Sequence, residues 1–229
     1  MGRRCILQPS TDKKRQGAVM FNLRDVEPIA QGHKRFVFQH PDQPNLLIKV
    51  MQPDVVEERW GSANRPWYKT TRRYGQYMSL RRELSEYLAA AVKFPDGVPV
   101  LQRLAGIVDT DYGIGVVVEK LVGRDGELAP TLAKVVRGGG VTPELLQKLG
   151  QLTDELIKYN IVVGKLHAHN MVLAVRGGEE RFVVIDGYGE TALIPIHTWS
   201  ARINAAHTRS RLKRLIRDVS RERGPQANR

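Results

Sequence analysis

The stretch from Val163 to Gly189 constrains this chain more than any other. Two short apolar runs, Met171–Val175 and Arg181–Ile185, flank the turn-forming segment Arg176-Gly177-Gly178-Glu179-Glu180. Runs of this kind around a glycine-rich turn predict an antiparallel hairpin. Its pairing would return Asp186, just after the second run, to the neighbourhood of Asn170, just before the first. An amide oxygen and a carboxylate are hard oxygen donors, the type Mg²⁺ accepts when substrate phosphates complete its shell. Asp186-Gly187 by itself is an ordinary turn dipeptide. The weight therefore lies in the two residues together with the hairpin.

Composition narrows the setting. The chain has 229 residues, 41% of them hydrophobic, enough for one large domain or two small lobes sharing a cleft. The single cysteine, Cys5, excludes an internal disulfide, and no Cys/His set has structural-zinc spacing. No signal peptide or run of about 20 apolar residues is expected, which predicts a cytoplasmic protein without a transmembrane segment. A net charge of +12 favours phosphate-bearing partners, with a merely solvating basic surface as the plainer reading.

Along the chain, residues 1–17 read as a flexible basic arm. An extended segment from Arg24, a turn at Gln31-Gly32-His33-Lys34, the run Phe36–Phe38, a turn over residues 40–45 and the run Leu46–Val50 predict a meander of antiparallel strands. Residues 51–70, with Trp60 and Trp67, read as an insertion. Met78, Leu80, Leu84, Tyr87, Leu88 and Val92 recur at helical spacing, and that helix carries Glu83 and Glu86. Val98–Val108 and Gly115–Glu119 predict two more strands, followed by a hinge at Lys120-Leu121-Val122-Gly123. Backbone groups from Glu119 to Leu121 would be free there to meet an adenine edge. Leu128–Val136 predicts a short helix broken by Gly138-Gly139-Gly140, and Thr142-Pro143 opens a long one. A last helix, from about Trp199 to Ser220, places Leu212, Leu215, Ile216 and Val219 on one side and Arg209, Arg211, Lys213, Arg214 and Arg217 on the other.

The order of these features resembles that of protein kinases and aminoglycoside-phosphotransferase-like kinases. This resemblance implies an α+β, two-lobed protein-kinase-like fold: an antiparallel-sheet small lobe with one helix over residues 18–120, and a mainly helical large lobe carrying the catalytic-loop hairpin over 121–229. It also implies roles. Gly32 would lie in a phosphate-covering turn, and Lys49 would reach phosphates from its strand while Glu83 holds it in an ion pair. Glu119 and Leu121 would border the base, and Asn170 and Asp186 would hold Mg²⁺. Lys165 stands where active kinases carry the loop aspartate, and His167 stands where many carry a phosphate-facing lysine. His167 and His169 are also open to ordinary hydrogen bonding or to a transition-metal site.

The stretch Asp186-Gly187-Tyr188-Gly189-Glu190-Thr191-Ala192-Leu193-Ile194-Pro195-Ile196-His197-Thr198-Trp199-Ser200 carries a narrower resemblance. Together with Gly32–Arg35, Ile48-Lys49-Val50, Arg82-Glu83-Leu84 and Leu166–Asn170, it resembles the PhoP regulatory network protein YrbL family. That implies a compact bacterial protein linked by name to PhoP-governed regulation, while the likeness to kinases implies ATP and Mg²⁺ as cofactors. Three functional readings follow. One is transfer of the ATP γ-phosphoryl group to a protein or small-molecule hydroxyl. Another is a pseudokinase that regulates a partner, since lysine cannot simply replace the aspartate base. The third is a nucleic-acid or anionic-surface binder using the basic tail.

Overall fold

The computed structural model describes residues 20–58, 74–164, 166–190 and 196–221. The basic arm, most of the expected insertion, Lys165 and the end of the tail lie outside them.

Strands Met20–Phe21 (β1), Ala30–Gln31 (β2), Arg35–Gln39 (β3), Leu46–Met51 (β4), Leu104–Thr110 (β5) and Gly113–Glu119 (β6) make one six-stranded sheet, ordered β1-β5-β6-β4-β3-β2. All neighbours are antiparallel except β1 and β5. Alternation along the strands gives the sheet two apolar faces. Phe38, Ile48, Val50 and Val117 pack with Leu23 on one. Leu47, Val116 and Val118 pack with Val37 and Leu80 on the other, which faces helix α1, Met78–Lys93. Leu88 and Val92 of that helix are exposed, so its apolar spacing overstates its buried face, which includes Glu83 and Ala90.

The remainder is built from α2 (Leu132–Gly139), α3 (Pro143–Lys158), a hairpin of β7 (Met171–Arg176) and β8 (Glu179–Val184), and α4 (Ala201–Arg221). Thr142 caps α3 by accepting from the Leu145 amide at 3.1 Å, with Pro143 in the first turn as expected. Leu145, Leu149, Leu152 and Leu156 are buried beneath it. The hairpin is tighter than the sequence suggested. Gly177 and Gly178 alone form its turn, both with positive φ (64° and 82°), as two-residue turns between twisted strands require.

Two expectations fail here. Gly138 and Gly139 remain helical because Leu132, Ala133 and Val136 pin α2 to the core, and only Gly140, at φ 80°, leaves the helix. The strand expected over Val98–Val108 begins only at Leu104, and the Val98–Leu101 stretch before it is not part of a strand. It crosses to the hairpin instead, where the Val184 amide donates to the Val100 carbonyl at 2.8 Å and the Gln102 amide donates to the Val184 carbonyl at 3.0 Å. These bonds fasten the sheet to the second lobe. On α4, Leu215 and Val219 are buried with Leu212 and Ile216 packed beside them, while Arg209, Lys213, Arg214 and Arg217 face solvent. Among the described residues no helix is long and apolar enough to cross a membrane.

Candidate functional site

Backbone contacts build the floor. The Ile185 amide donates to the Asn170 carbonyl at 2.9 Å, so the hairpin brings the two ends together and sets Asp186 one residue further on. Asp186 Oδ1 accepts from the Gly187 amide at 2.6 Å. Val162 is a hub. Its amide donates to Glu86 Oε1 on α1 at 2.8 Å, and its carbonyl accepts from the Gly189 amide at 2.7 Å. Gly189 has φ +92°, and a Cβ there would lie 2.5 Å from the Arg82 carbonyl oxygen. Only glycine lets this loop approach α1 so closely. From the other side, buried Asn204 on α4 donates to Asn160 Oδ1 at 3.0 Å and to the Ile161 carbonyl at 3.1 Å.

The side chains above this floor are arranged differently from expectation. The predicted Lys49–Glu83 ion pair is absent. Arg35 forks Glu83 instead, with Nη1 to Oε2 at 3.0 Å and Nη2 to Oε1 at 3.1 Å, and Nη1 also lies 3.4 Å from Asp186 Oδ2. Lys49 Nζ donates to Gln102 Oε1 at 2.6 Å and to the Ile185 carbonyl at 2.9 Å. The register explains the exchange. Arg35 opposes Met51 and Val37 opposes Lys49, so Arg35 and Lys49 share one sheet face. The planar guanidinium matches a carboxylate with two parallel N–H bonds, which an ammonium cannot do.

This network shifts its own titrations. Burial pushes Glu83 up, Arg35 opposes it and the neighbouring Asp186 charge adds to it, for a result of about 8. Burial would also raise Asp186, but Arg35, a hydrogen bond from Glu83 and Lys49 hold it down at about 2. Burial and the Asp186 charge thus favour the neutral form of Glu83, while Arg35 and Lys49 favour the ionised form of Asp186. Burial brings Lys49 down to about 8 against the pull of Asp186. Arg35 stays charged, since Asp186 and Glu83 outweigh its burial. Arg35, Lys49, Glu83, Gln102, Ile185 and Tyr188 line a cavity of about 20 Å³, room for roughly one water.

The other expected positions are more varied. Gly32 closes the β2–β3 turn, its amide donating to the Arg35 carbonyl at 2.9 Å and its carbonyl accepting from Gln52 Nε2 at 2.6 Å. Its φ lies outside the left-handed region, and an added Cβ would meet nothing closer than 3.7 Å. Of the six backbone polar groups from Glu119 to Leu121, expected to be open to an adenine edge, four are engaged within the chain. The Glu119 amide donates to Arg103 at 3.0 Å, and its carbonyl accepts from Gln102 Nε2 at 2.7 Å. The Lys120 amide donates to Asn45 at 2.8 Å, and the Leu121 carbonyl accepts from Ala129 at 2.9 Å. Glu119 Oε1 is engaged by the Arg103 amide and Arg176, and the Leu121 side chain is buried. His167 and His169 are exposed, and the His167 carbonyl accepts from the Asn170 amide at 2.9 Å. Among the described residues no three His, Cys, Asp or Glu side chains are grouped to hold a metal ion by themselves. An ion at Asp186 and Asn170 would need further oxygens from its ligand, as Mg²⁺ commonly does. Lys165 lies outside the described residues.

Sequence reasoning missed Arg35, Gln102 and Asn204. Arg35 had a signal: it stands two residues before Val37, on the strand face that Lys49 shares.

Comparisons with known proteins agree on family and fold. The model of the PhoP regulatory network protein YrbL family matches residues 21–220. The uncharacterized proteins YrbL of Escherichia coli strain K12 and Shigella flexneri are each 30% identical over 189 residues, 79% of this chain and 79% of theirs. The crystal structure of Rad53 1–466 in complex with AMP-PNP superposes with a TM-score of 0.50 and 12% identity, covering 87% of this chain. This chain spans about half, 51%, of that one. At such identity the likeness concerns the fold, which is two-lobed, α+β and protein-kinase-like.

Proposed function

From a chain that belongs to the PhoP regulatory network protein YrbL family and has a protein-kinase-like fold, we propose a Mg-nucleotide-binding protein with a regulatory role. The observation that carries this reading is the ionised Asp186 carboxylate, set beside Asn170 by the hairpin and faced by two cations, Arg35 and Lys49. Asp186 and the Asn170 side chain would hold Mg²⁺, and a cation facing Asp186 would meet phosphate oxygens. The ion would neutralise phosphate charge when bound. Asp186 fits the task because 36% of its side chain is exposed and its charge is already fixed.

Two outcomes follow for chemistry. In one, Lys165 supplies positive charge beside the terminal phosphate, and transfer to an unidentified protein or small-molecule hydroxyl proceeds by positioning. In the other the protein is a pseudokinase, a reading favoured by lysine in place of the loop aspartate and by the engaged hinge backbone. Thermal shifts with ATP and ADP, with and without Mg²⁺, test binding, and a phosphate-transfer assay then separates the two. Absence of any Mg-dependent shift would reject both. Lys165→Asp should weaken ATP more than ADP if Lys165 contacts the γ-phosphate. An unchanged ratio of the two dissociation constants would remove Lys165 from the site.

A further inference from the structure

We propose that Arg35, rather than Lys49, is the side chain that anchors the phosphates of a bound nucleoside triphosphate. This inference rests on the nucleotide reading above and assigns its principal cation.

Lys49 is committed elsewhere. It is buried, with Gln102 Oε1 at 2.6 Å and the Ile185 carbonyl at 2.9 Å as its acceptors. Gln102 in turn spends its amide nitrogen on the Glu119 carbonyl at 2.7 Å. Turning Lys49 toward a ligand would strand a buried amide oxygen and break a chain of bonds joining β4, the crossing segment and the end of β6.

Arg35 is placed to act. It opens β3 directly after the Gly32 turn and touches both α1, through Glu83, and the floor, through Asp186. A guanidinium has five N–H donors in a fixed fork; Glu83 takes two, Ser79 Oγ lies 3.4 Å from Nη2, and the Nη1 donor aimed at Asp186 is the one a phosphate oxygen would take over. Its Asp186 contact, 3.4 Å, is longer than the two bonds to Glu83, at 3.0 and 3.1 Å. A cation arriving on Asp186 would displace that contact, and the phosphates arriving with it would give Arg35 a new anionic partner. Glu83 would remain attached throughout, so ligand binding is transmitted to α1 by way of Arg35.

The test is the MgATP dissociation constant, measured by calorimetry on the full chain at fixed salt. Arg35→Met would leave Glu83 buried beside Asp186 without its cation, so the informative variant is R35M/E83Q, with E83Q as its reference. K49M is the competing variant. The expected result is a loss of at least about ten-fold for R35M/E83Q against E83Q, the effect of one charge-assisted hydrogen bond, and a change within about three-fold for K49M against wild type. If a methionine variant fails to fold, R35K and K49R provide the same comparison. R35K, which keeps the charge and loses the fork, should then bind more weakly than K49R. The reverse order, or equal losses at both positions, would overturn the assignment. Absence of MgATP binding by wild type itself would overturn the nucleotide reading, a failure distinguishable because it precedes any substitution.

Discussion

Glu83 and Asp186 titrate in opposite directions from neighbouring positions, and this gives the residue scale its sharpest consequence. Glu83 is raised from 4.5 to about 8 in the folded chain, so the stability it contributes is full below 4.5 and is lost as pH rises through about 8. Asp186 is lowered from 3.8 to about 2, so its contribution is present above 3.8 and is lost only as pH falls toward 2. Lys49, lowered to about 8, adds a slope of opposite sign above that pH. Glu86 is also raised, chiefly by burial, and acts in the same direction as Glu83. Urea unfolding free energy should therefore fall between about pH 5 and 8, by no more than about 1.4 kcal/mol per pH unit for each proton involved. E83Q should reduce that slope, and an E83Q profile parallel to wild type would contradict the upward shift of Glu83. Gly189→Ala is a separate expectation at this scale. Its Cβ would press on the Arg82 carbonyl at φ +92°, so a loss of roughly 2–4 kcal/mol in the same experiment is predicted.

At the scale of elements, α4 is bolted to the segment before the loop by one buried amide. Asn204→Ala would remove the bonds to Asn160 Oδ1 and the Ile161 carbonyl and leave that carbonyl short of a partner, at a cost of about 2 kcal/mol. Arg214→Ala, on the exposed face, should stay within about 0.5 kcal/mol of wild type. Gly138→Ala should stabilise by about 0.4–1 kcal/mol, because the site is helical and an added Cβ meets nothing within 4 Å. These elements differ in how far they could be read from sequence. The β7–β8 hairpin and the Thr142 cap were legible because strand runs, paired glycines and a Thr-Pro start act locally. Gly138 and Gly139 misled because tertiary packing of Leu132 and Val136 overrides local propensity. The hinge bonds were illegible, since Asn45 reaches it from the turn before β4 and Gln102 from the crossing segment, neither signalled by local pattern. Arg35 was passed over because a charged residue at a strand's start reads as solvent-facing until the register is known.

At the scale of the molecule, the sheet and α1 on one side and the hairpin and α3 on the other meet along one seam. That seam is held by the Val100–Val184 and Val162–Glu86 contacts and crossed by Arg35. The order of strands, helix, loop and hairpin was enough to predict this two-lobed fold, whereas the cation that bridges its lobes was not. The central claim is that the seam opens onto a Mg-dependent nucleotide site centred on Asp186. Calorimetric titration of ATP into wild type and D186N, each with Mg²⁺ and with a chelator, tests it most directly. The account predicts that Mg²⁺ tightens wild-type binding by at least about ten-fold and leaves D186N unchanged. Equal Mg²⁺ dependence in the two proteins, or none in wild type, would contradict it.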